Sequence, residues 1–98
     1  MKLVINQCFG GFDLSKEAQD RYRELAGSLP RCFGTIPRND KYLVQVVEEL
    51  GKEANTYLSD LHVVDILNGS LYRINYYDGL ETIEFKSSDD GWELAWED

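Results

Sequence analysis

Two consecutive glycines separate a strand-like segment from the start of a predicted helix. The segment is Cys8-Phe9-Gly10-Gly11-Phe12-Asp13-Leu14-Ser15, and Ser15 is a favoured N-cap residue. Glycines at such a junction can expose backbone N–H groups beside the positive end of a helix, an arrangement that binds phosphate. The sequence therefore predicts an anion site at Gly10, Gly11, Phe12 and Ser15. The alternative is a tight turn with Phe9 and Phe12 packed beneath it.

Three further side chains could complete such a site. Arg38 and Asn39 lie in the loop before the second predicted helix, where Arg38 could pair with a phosphate and Asn39 could bind a base or a ribose. Tyr77, at the end of a predicted hairpin, could stack on a planar ligand. The alternative for Arg38 is a structural role, in which it satisfies carbonyl groups or pairs with Asp40.

Residues suited to catalysis or metal binding are few. The chain has two cysteines, Cys8 and Cys32, a single histidine, His62, and no Cys-x-x-Cys spacing. Structural zinc sites and disulfide frameworks need more ligands or more cysteines than this. The carboxylates are plentiful but scattered, and no pair lies in an evidently apolar setting. We predict a protein that is not an enzyme and that holds no metal and no cofactor.

The charge of the chain is uneven. The net charge is −8, residues 1–58 are neutral overall, and residues 59–98 hold 2 basic and 10 acidic side chains. So acidic a chain is not expected to bind nucleic acid directly. The acidity either serves solubility or forms a surface for a basic partner. For that second role the sequence offers Asp78, Asp89, Asp90, Glu93 and Trp96.

Hydrophobic spacing predicts the elements that position these residues. Residues 2–9 form a strand buried on both faces, and residues 15–26 form a helix that ends at Gly27. Residues 28–39 form a loop with a short extended piece at 33–36. A second helix begins after Asp40 and ends at Gly51, with Leu43, Val46, Val47 and Leu50 on its apolar face. In the polar segment that follows, Ala54, Tyr57 and Leu58 are the expected packing residues.

The rest of the chain predicts β structure. Residues 61–67 form a strand, and Asp78-Gly79 is typical of a type I′ turn joining strands at 71–77 and 80–85. That turn pairs Tyr77 with Leu80 and places Tyr76 on the core-facing side, opposite Glu81. The predicted fold is α+β, in the order β-α-α-β-β-β, with two helices packed on one face of a small mixed sheet. Residues 1–86 make the domain, and residues 87–98 make an acidic tail or an edge strand that carries Trp92, Leu94 and Trp96 on one face.

Several stretches of the chain resemble a family of small bacteriophage and prophage proteins. Members of this family open with a pattern like MK-[IV]-VIN-x-C-[FY]-GGF-x-LS, and the match continues at residues 36–40, 46–51 and 77–79. Gln7 and Lys41 depart from it, since many members have Arg and Pro there. The resemblance implies a viral or prophage setting and no particular chemistry.

Two functions follow as hypotheses. The first is a non-enzymatic protein that interferes with a host process, such as anti-phage defence, by sequestering a small phosphorylated, nucleotide-derived ligand. The second is an acidic inhibitor that mimics nucleic acid and covers a basic host-protein surface through residues 78–98. No signal-peptide core or apolar run long enough for a membrane span is present, so we expect a location in the host cytoplasm. The sequence does not determine whether the protein forms a homo-oligomer.

Overall fold

The computed structural model of the chain describes residues 1–86 and 93–94 and has the predicted α+β class and element order. Its elements are β1 (Lys2–Asn6), α1 (Lys16–Ala26), α2 (Lys41–Leu50), β2 (Leu61–Asp65), β3 (Leu71–Tyr77), β4 (Leu80–Lys86) and β5 (Glu93–Leu94), with short 3-10 turns at Phe33–Thr35 and Gly51–Ala54. No helix in the described part of the chain has the length and apolar character that crossing a membrane requires.

Side-chain caps define both helices, as predicted. The Ser15 hydroxyl accepts a hydrogen bond from the Ala18 N–H, and the Asp40 carboxylate accepts from the N–H groups of Tyr42 and Leu43. Each cap satisfies donors that a helix start otherwise leaves without partners. Gly27 ends α1 in the left-handed conformation, where its N–H donates to the Arg23 carbonyl.

Strand β1 lies between two hydrophobic clusters. Val4 faces the larger cluster, which the helices form, and Leu3 faces a smaller one that includes Tyr72 of β3. The predicted burial on both faces is confirmed, since Leu3, Val4 and Ile5 are almost inaccessible. The larger cluster consists of Val4, Leu14, Ala18, Tyr22, Ile36, Leu43, Val44, Val46, Val47, Ala54 and Leu61.

The strands are arranged differently from the expected single mixed sheet. Strand β1 pairs antiparallel with β2, while β3 pairs antiparallel with β4 and with β5 in a separate sheet. On the other edge of β1, the Val4 N–H donates to the Arg38 carbonyl (2.8 Å) and the Asn6 N–H to the Glu81 carboxylate (2.9 Å). A loop carbonyl and a side chain therefore take the place of a neighbouring strand.

The β3–β4 hairpin has the predicted register. Tyr77 lies opposite Leu80, Tyr76 opposite Glu81 and Ile74 opposite Ile83. Asp78 and Gly79 have φ values of 51° and 87°, as a type I′ turn requires. The prediction that Tyr76 faces the core is wrong, because its side chain is 65% exposed while Glu81 across from it is buried.

Three smaller expectations about loops and packing are also wrong. The piece around residues 33–36 contains a 3-10 turn rather than extended chain. Tyr57 and Leu58 are exposed, and in that segment Ala54 alone of the three expected packing residues is buried. Strand β1 ends at Asn6 rather than at residue 9. In the tail, the backbone of Glu93–Leu94 pairs with β3, whereas Trp92 and Trp96 lie outside the described residues.

Candidate functional site

The Gly10-Gly11 turn packs against the chain's own backbone. A side chain at Gly10 would collide with the Leu58 carbonyl, and Gly11 has a φ of 125°. Opposite them, a Cβ atom at Gly79 would lie 2.7 Å from the Gly11 nitrogen. Glycine is needed at 10 and 79 because three backbone segments approach one another closely. The predicted phosphate-binding turn at Gly10 and Gly11 therefore lies against the Leu58 segment and the hairpin.

The start of α1 is also covered by the protein. The Ser15 N–H donates to the Ala54 carbonyl (2.9 Å), and the Ser15 hydroxyl donates to the Glu53 carbonyl. That hydroxyl also accepts from the Ala18 N–H (3.1 Å), and the residue is buried. The polar groups of Ser15 that could receive an anion are therefore engaged by the 3-10 turn at Gly51–Ala54 and by the first turn of α1.

Arg38 is buried in a salt bridge that the sequence did not predict. Its guanidinium contacts the Glu81 carboxylate through Nη2 (2.6 Å) and Nε (3.1 Å). Its Nη1 donates to the carbonyls of Gly34 (3.2 Å) and Ile36 (2.7 Å). The carbonyl part of the structural alternative is confirmed, but the acidic partner is Glu81 and not Asp40. All three guanidinium nitrogens have partners within the protein.

Phe12 and Asn6 contact this salt bridge. The guanidinium carbon of Arg38 lies 3.8 Å from the centre of the Phe12 ring, a cation–π contact. Asn6 is fully buried, and its side-chain amide donates to the carbonyls of Gly79 (2.8 Å) and Cys8 (3.0 Å). The amide oxygen of Asn6 accepts from the Asp60 N–H (2.7 Å). We call Asn6, Arg38 and Glu81 the buried polar cluster; it joins β1, the loop before α2 and the hairpin.

Two exposed aromatic side chains lie where the glycine turn meets the end of the hairpin. Phe9 and Tyr77 are 63% and 73% exposed, and their rings meet edge to face with centroids 6.2 Å apart. The exposed side chain of Leu58 belongs to the segment that packs against Gly10, and Asp78 is exposed at the tip of the hairpin. We call Phe9, Leu58, Tyr77 and Asp78 the hairpin-end surface. The expectation that Phe9 packs beneath the glycine turn is wrong.

A separate groove of about 390 Å³ lies between β3 and the loop before α2. Arg38 and Asn39 line it together with Ile36, Ile74 and Tyr76. Of the predicted ligand-binding residues, Arg38 and Asn39 therefore belong to the groove, Tyr77 belongs to the hairpin end, and Gly10, Gly11 and Ser15 belong to neither lining. The structure does not gather all of these residues around one cavity.

Two residues of the buried polar cluster were not identified from the sequence. Glu81 carried a usable signal, because the predicted register places it among apolar residues on the core-facing side of the hairpin, and a buried carboxylate requires a cation. Asn6 carried no comparable signal.

The remaining reactive groups are dispersed. Within residues 1–86 and 93–94, no three His, Cys, Asp or Glu side chains are grouped as a metal site requires. Cys8 donates from its thiol to the Leu58 carbonyl (3.2 Å), while the ring of His62 lies 3.0 Å from an Asp60 oxygen. Of the predicted acidic partner-binding residues, Asp78 is on the hairpin-end surface, Glu93 is in β5, and Asp89, Asp90 and Trp96 lie outside the described residues.

No family model, curated protein or solved structure that was compared with the chain matches it.

Proposed function

We propose that the chain is a non-enzymatic inhibitor that binds a basic host protein through the hairpin-end surface. The observation that carries this proposal is the exposed Phe9–Tyr77 pair, in which two aromatic rings contact each other and remain largely open to solvent. Exposed apolar patches on small proteins commonly mark interaction sites, and tyrosine is enriched among the residues that dominate binding energy.

The base of this surface is held in place before any partner arrives. Gly79 contacts Gly11 closely, and the Asn6 side chain holds the Gly79 carbonyl at 2.8 Å. The N–H of Asn6 is in turn held by Glu81 (2.9 Å). A surface that is already ordered loses less conformational entropy on binding, so this packing favours recognition of a partner by Phe9 and Tyr77.

Charge supports a basic partner. Asp78 adjoins Tyr77, and residues 59–98 contain 10 acidic against 2 basic side chains. A negative field attracts cationic surfaces and raises association rates at low salt. Mimicry of nucleic acid is one form that such an inhibitor takes, and the resemblance to phage and prophage proteins favours a partner from the host, including one from its anti-phage defence.

Sequestration of a small phosphorylated ligand has less support. Such a ligand needs Arg38 as its cation, and the guanidinium already neutralises Glu81. It also needs the N-terminus of α1, where the polar groups of Ser15 bond to Glu53 and Ala54. A ligand would have to displace these contacts, so we rank protein binding first.

The test compares two exposed aromatic positions on the same hairpin. The protein, its Tyr77→Ser variant and its Phe85→Ser variant are used to capture proteins from a bacterial host lysate, and any captured protein is then purified and titrated by calorimetry. Phe85 is 57% exposed and lies far from the turn, so it is the matched control. We expect Tyr77→Ser to weaken binding about 30-fold or more, the effect of losing one hot-spot side chain.

Two further measurements bear on the charge and on the rival function. Replacing Asp89, Asp90 and Glu93 with lysine should slow association and reduce its dependence on salt. Equal binding by the protein and its Tyr77→Ser variant would contradict the proposal. Calorimetric binding of a nucleotide that is lost in Arg38→Ala would favour sequestration instead.

A further inference from the structure

We infer that the hairpin-end surface recognises the guanidinium group of an arginine side chain on the basic partner, which lies against the rings of Phe9 and Tyr77 and pairs with Asp78. This inference rests on the proposed function and deepens it, because it names the chemical group that the surface recognises. It depends on the angle between the two rings, on the charge of the segments that meet there, and on the distance of this surface from the rest of the chain.

The two rings form a corner that is lined by aromatic faces. The planes of Phe9 and Tyr77 meet at 77°, with ring centroids 6.2 Å apart, and both side chains are largely exposed. The face of an aromatic ring carries partial negative charge, so it attracts a cation that lies over it. A cation in the angle between the two rings is therefore close to an aromatic face on either side.

The segments that meet at this surface carry only acidic charge. The close contacts of Gly10 and Gly79 bring three segments together, and these contain three aspartates but no lysine, arginine or histidine. The segments are residues 6–13, 56–60 and 76–80. Asp78 is exposed beside Tyr77, and within residues 1–86 and 93–94 no cationic group pairs with its carboxylate. The charge at the corner therefore complements a cation.

The segments outside the described structure are too short to reach this corner. Residues 87–92 are joined to Lys86 and Glu93, which both lie at the end of the hairpin away from its turn. The nearer of these two residues is five positions along the strand from Tyr77, or about 16 Å. Every residue between them is within three positions of one or the other, a reach of at most about 11 Å. Residues 95–98 follow β5 one position farther from the turn, and four residues span at most about 14 Å. Neither segment contains a lysine, arginine or histidine, so neither can cover the corner or neutralise its carboxylate.

Arginine fits this combination of groups better than lysine does. A guanidinium is planar, stacks on an aromatic face and pairs with a carboxylate through two N–H groups, whereas an ammonium is a compact and strongly hydrated charge. The interior of the same protein shows this geometry, since the Arg38 guanidinium lies 3.8 Å from the centre of the Phe12 ring and pairs with Glu81. The hairpin-end surface supplies the rings and the carboxylate, and the partner supplies the guanidinium.

The probe is an acetylated and amidated peptide in which three arginines alternate with glycine, added to the full chain and followed by NMR. Matched peptides replace arginine with lysine, which keeps the charge, or with citrulline, which keeps the shape and removes the charge. We expect the arginine peptide to shift the resonances of Phe9 and Tyr77 and to bind about threefold or more tightly than the lysine peptide. Its δ-methylene protons should move upfield, as protons above an aromatic ring do, and the citrulline peptide should cause no such shifts. Equal binding of the arginine and lysine peptides, or no saturable shift at Phe9 and Tyr77, would overturn the inference.

Substitutions at the corner separate the aromatic face from the charge. Tyr77→Phe keeps an aromatic face, whereas Tyr77→Leu keeps only apolar area. Asp78→Asn removes the carboxylate and keeps the turn, because Asn-Gly is favoured in a type I′ turn. We expect Tyr77→Leu and Asp78→Asn each to weaken binding of the arginine peptide about two- to fivefold, and Tyr77→Phe to bind it as the unaltered protein does. The control is Glu48→Gln, which changes the net charge equally on α2 beside Lys2, at the other end of β1. Equal losses in Asp78→Asn and Glu48→Gln would show attraction to the net charge alone and would overturn the inference.

The inference and the proposed function fail in different ways. If a captured host protein is lost by Tyr77→Ser but bound fully by Tyr77→Leu, the surface acts through apolar contact, and the recognition of arginine alone is overturned. If the arginine peptide binds at the corner but no host protein distinguishes Tyr77→Ser from the unaltered protein, the recognition of arginine stands and the proposed function is contradicted.

Discussion

Replacing Glu81 with glutamine should destabilise the protein severely, although the two side chains are nearly the same size. The Glu81 carboxylate is almost completely buried, and it receives the Asn6 N–H (2.9 Å) and the Arg38 Nη2 (2.6 Å). Glutamine keeps one oxygen that can accept from Asn6, but its amide group turns two donors toward a guanidinium that has only donors. The Arg38 cation is then left buried with two carbonyls and the Phe12 ring.

Breaking one side of a buried ion pair costs about 3–5 kcal/mol, compared with a total stability of about 5–15 kcal/mol for a domain. For a chain of this length, such a loss lowers the melting temperature by roughly 15 °C or more. Urea denaturation followed by circular dichroism measures the change in the free energy of unfolding. Glu48→Gln is the control, because Glu48 pairs with Lys2 at the surface and its loss should cost less than about 1 kcal/mol.

A double-mutant cycle provides the refutation. Arg38→Gln alone leaves the Glu81 carboxylate buried without its cation, and the double variant removes both charges together. We expect the double variant to lose less than the sum of the two single losses, with a coupling of about 1–3 kcal/mol. Additive losses, or a Glu81→Gln loss no larger than that of Glu48→Gln, would show that Arg38 and Glu81 do not form a desolvated pair.

Two further predictions concern the glycine contact and the α1–α2 contact. Gly79→Ala should lower the free energy of unfolding by about 2–4 kcal/mol, since the new Cβ would lie 2.7 Å from the Gly11 nitrogen in a residue with a φ of 87°. The control is Gly69→Ala, at a residue with a similar φ and no atom within 4 Å, which should lose only about 1 kcal/mol. Equal losses in the two variants would contradict the importance of the contact between Gly79 and Gly11. Burial and the hydrogen bond to Asp40 raise the pKa of Tyr22 to about 12, so the unfolded chain ionises first and this tyrosine should lower stability by at most about 2 kcal/mol between pH 10 and 12. Denaturation across that range should show a larger loss in the protein than in Tyr22→Phe, and an equal loss in both would refute the assignment.

The elements that local chemistry determines could be predicted from the sequence. The two helices begin at Ser15 and Asp40 and end before Gly27 and Gly51, because capping acts within a few residues of the helix end. The hairpin register follows from Asp78-Gly79 for the same reason. None of these predictions depends on which distant segment packs against the element.

What could not be predicted depends on contacts between distant residues. Arg38 and Glu81 are 43 positions apart, and nothing near either residue specifies the other. The hydrophobic run of β1 predicted burial on both faces correctly, but burial does not distinguish a neighbouring strand from a loop carbonyl and a carboxylate at its edge. The glycine turn was a plausible anion site because glycine permits any close backbone approach, whether by a ligand or, as at Gly10 and Gly79, by the chain itself.

The buried polar cluster explains how the two small sheets keep a fixed position relative to each other. If β1 paired directly with the hairpin, many backbone hydrogen bonds would fix its position relative to β3 and β4. Instead, the Glu81 carboxylate accepts from the Asn6 N–H, and the Asn6 side chain donates to the Gly79 carbonyl. Buried ion pairs contribute little net stability compared with apolar packing, but a wrong arrangement leaves a charge without its partner. The cluster therefore selects one position of the hairpin relative to the glycine turn. Because Phe9 lies on one side of that junction and Tyr77 on the other, loss of Glu81 should separate the two aromatic rings and weaken partner binding even in molecules that remain folded.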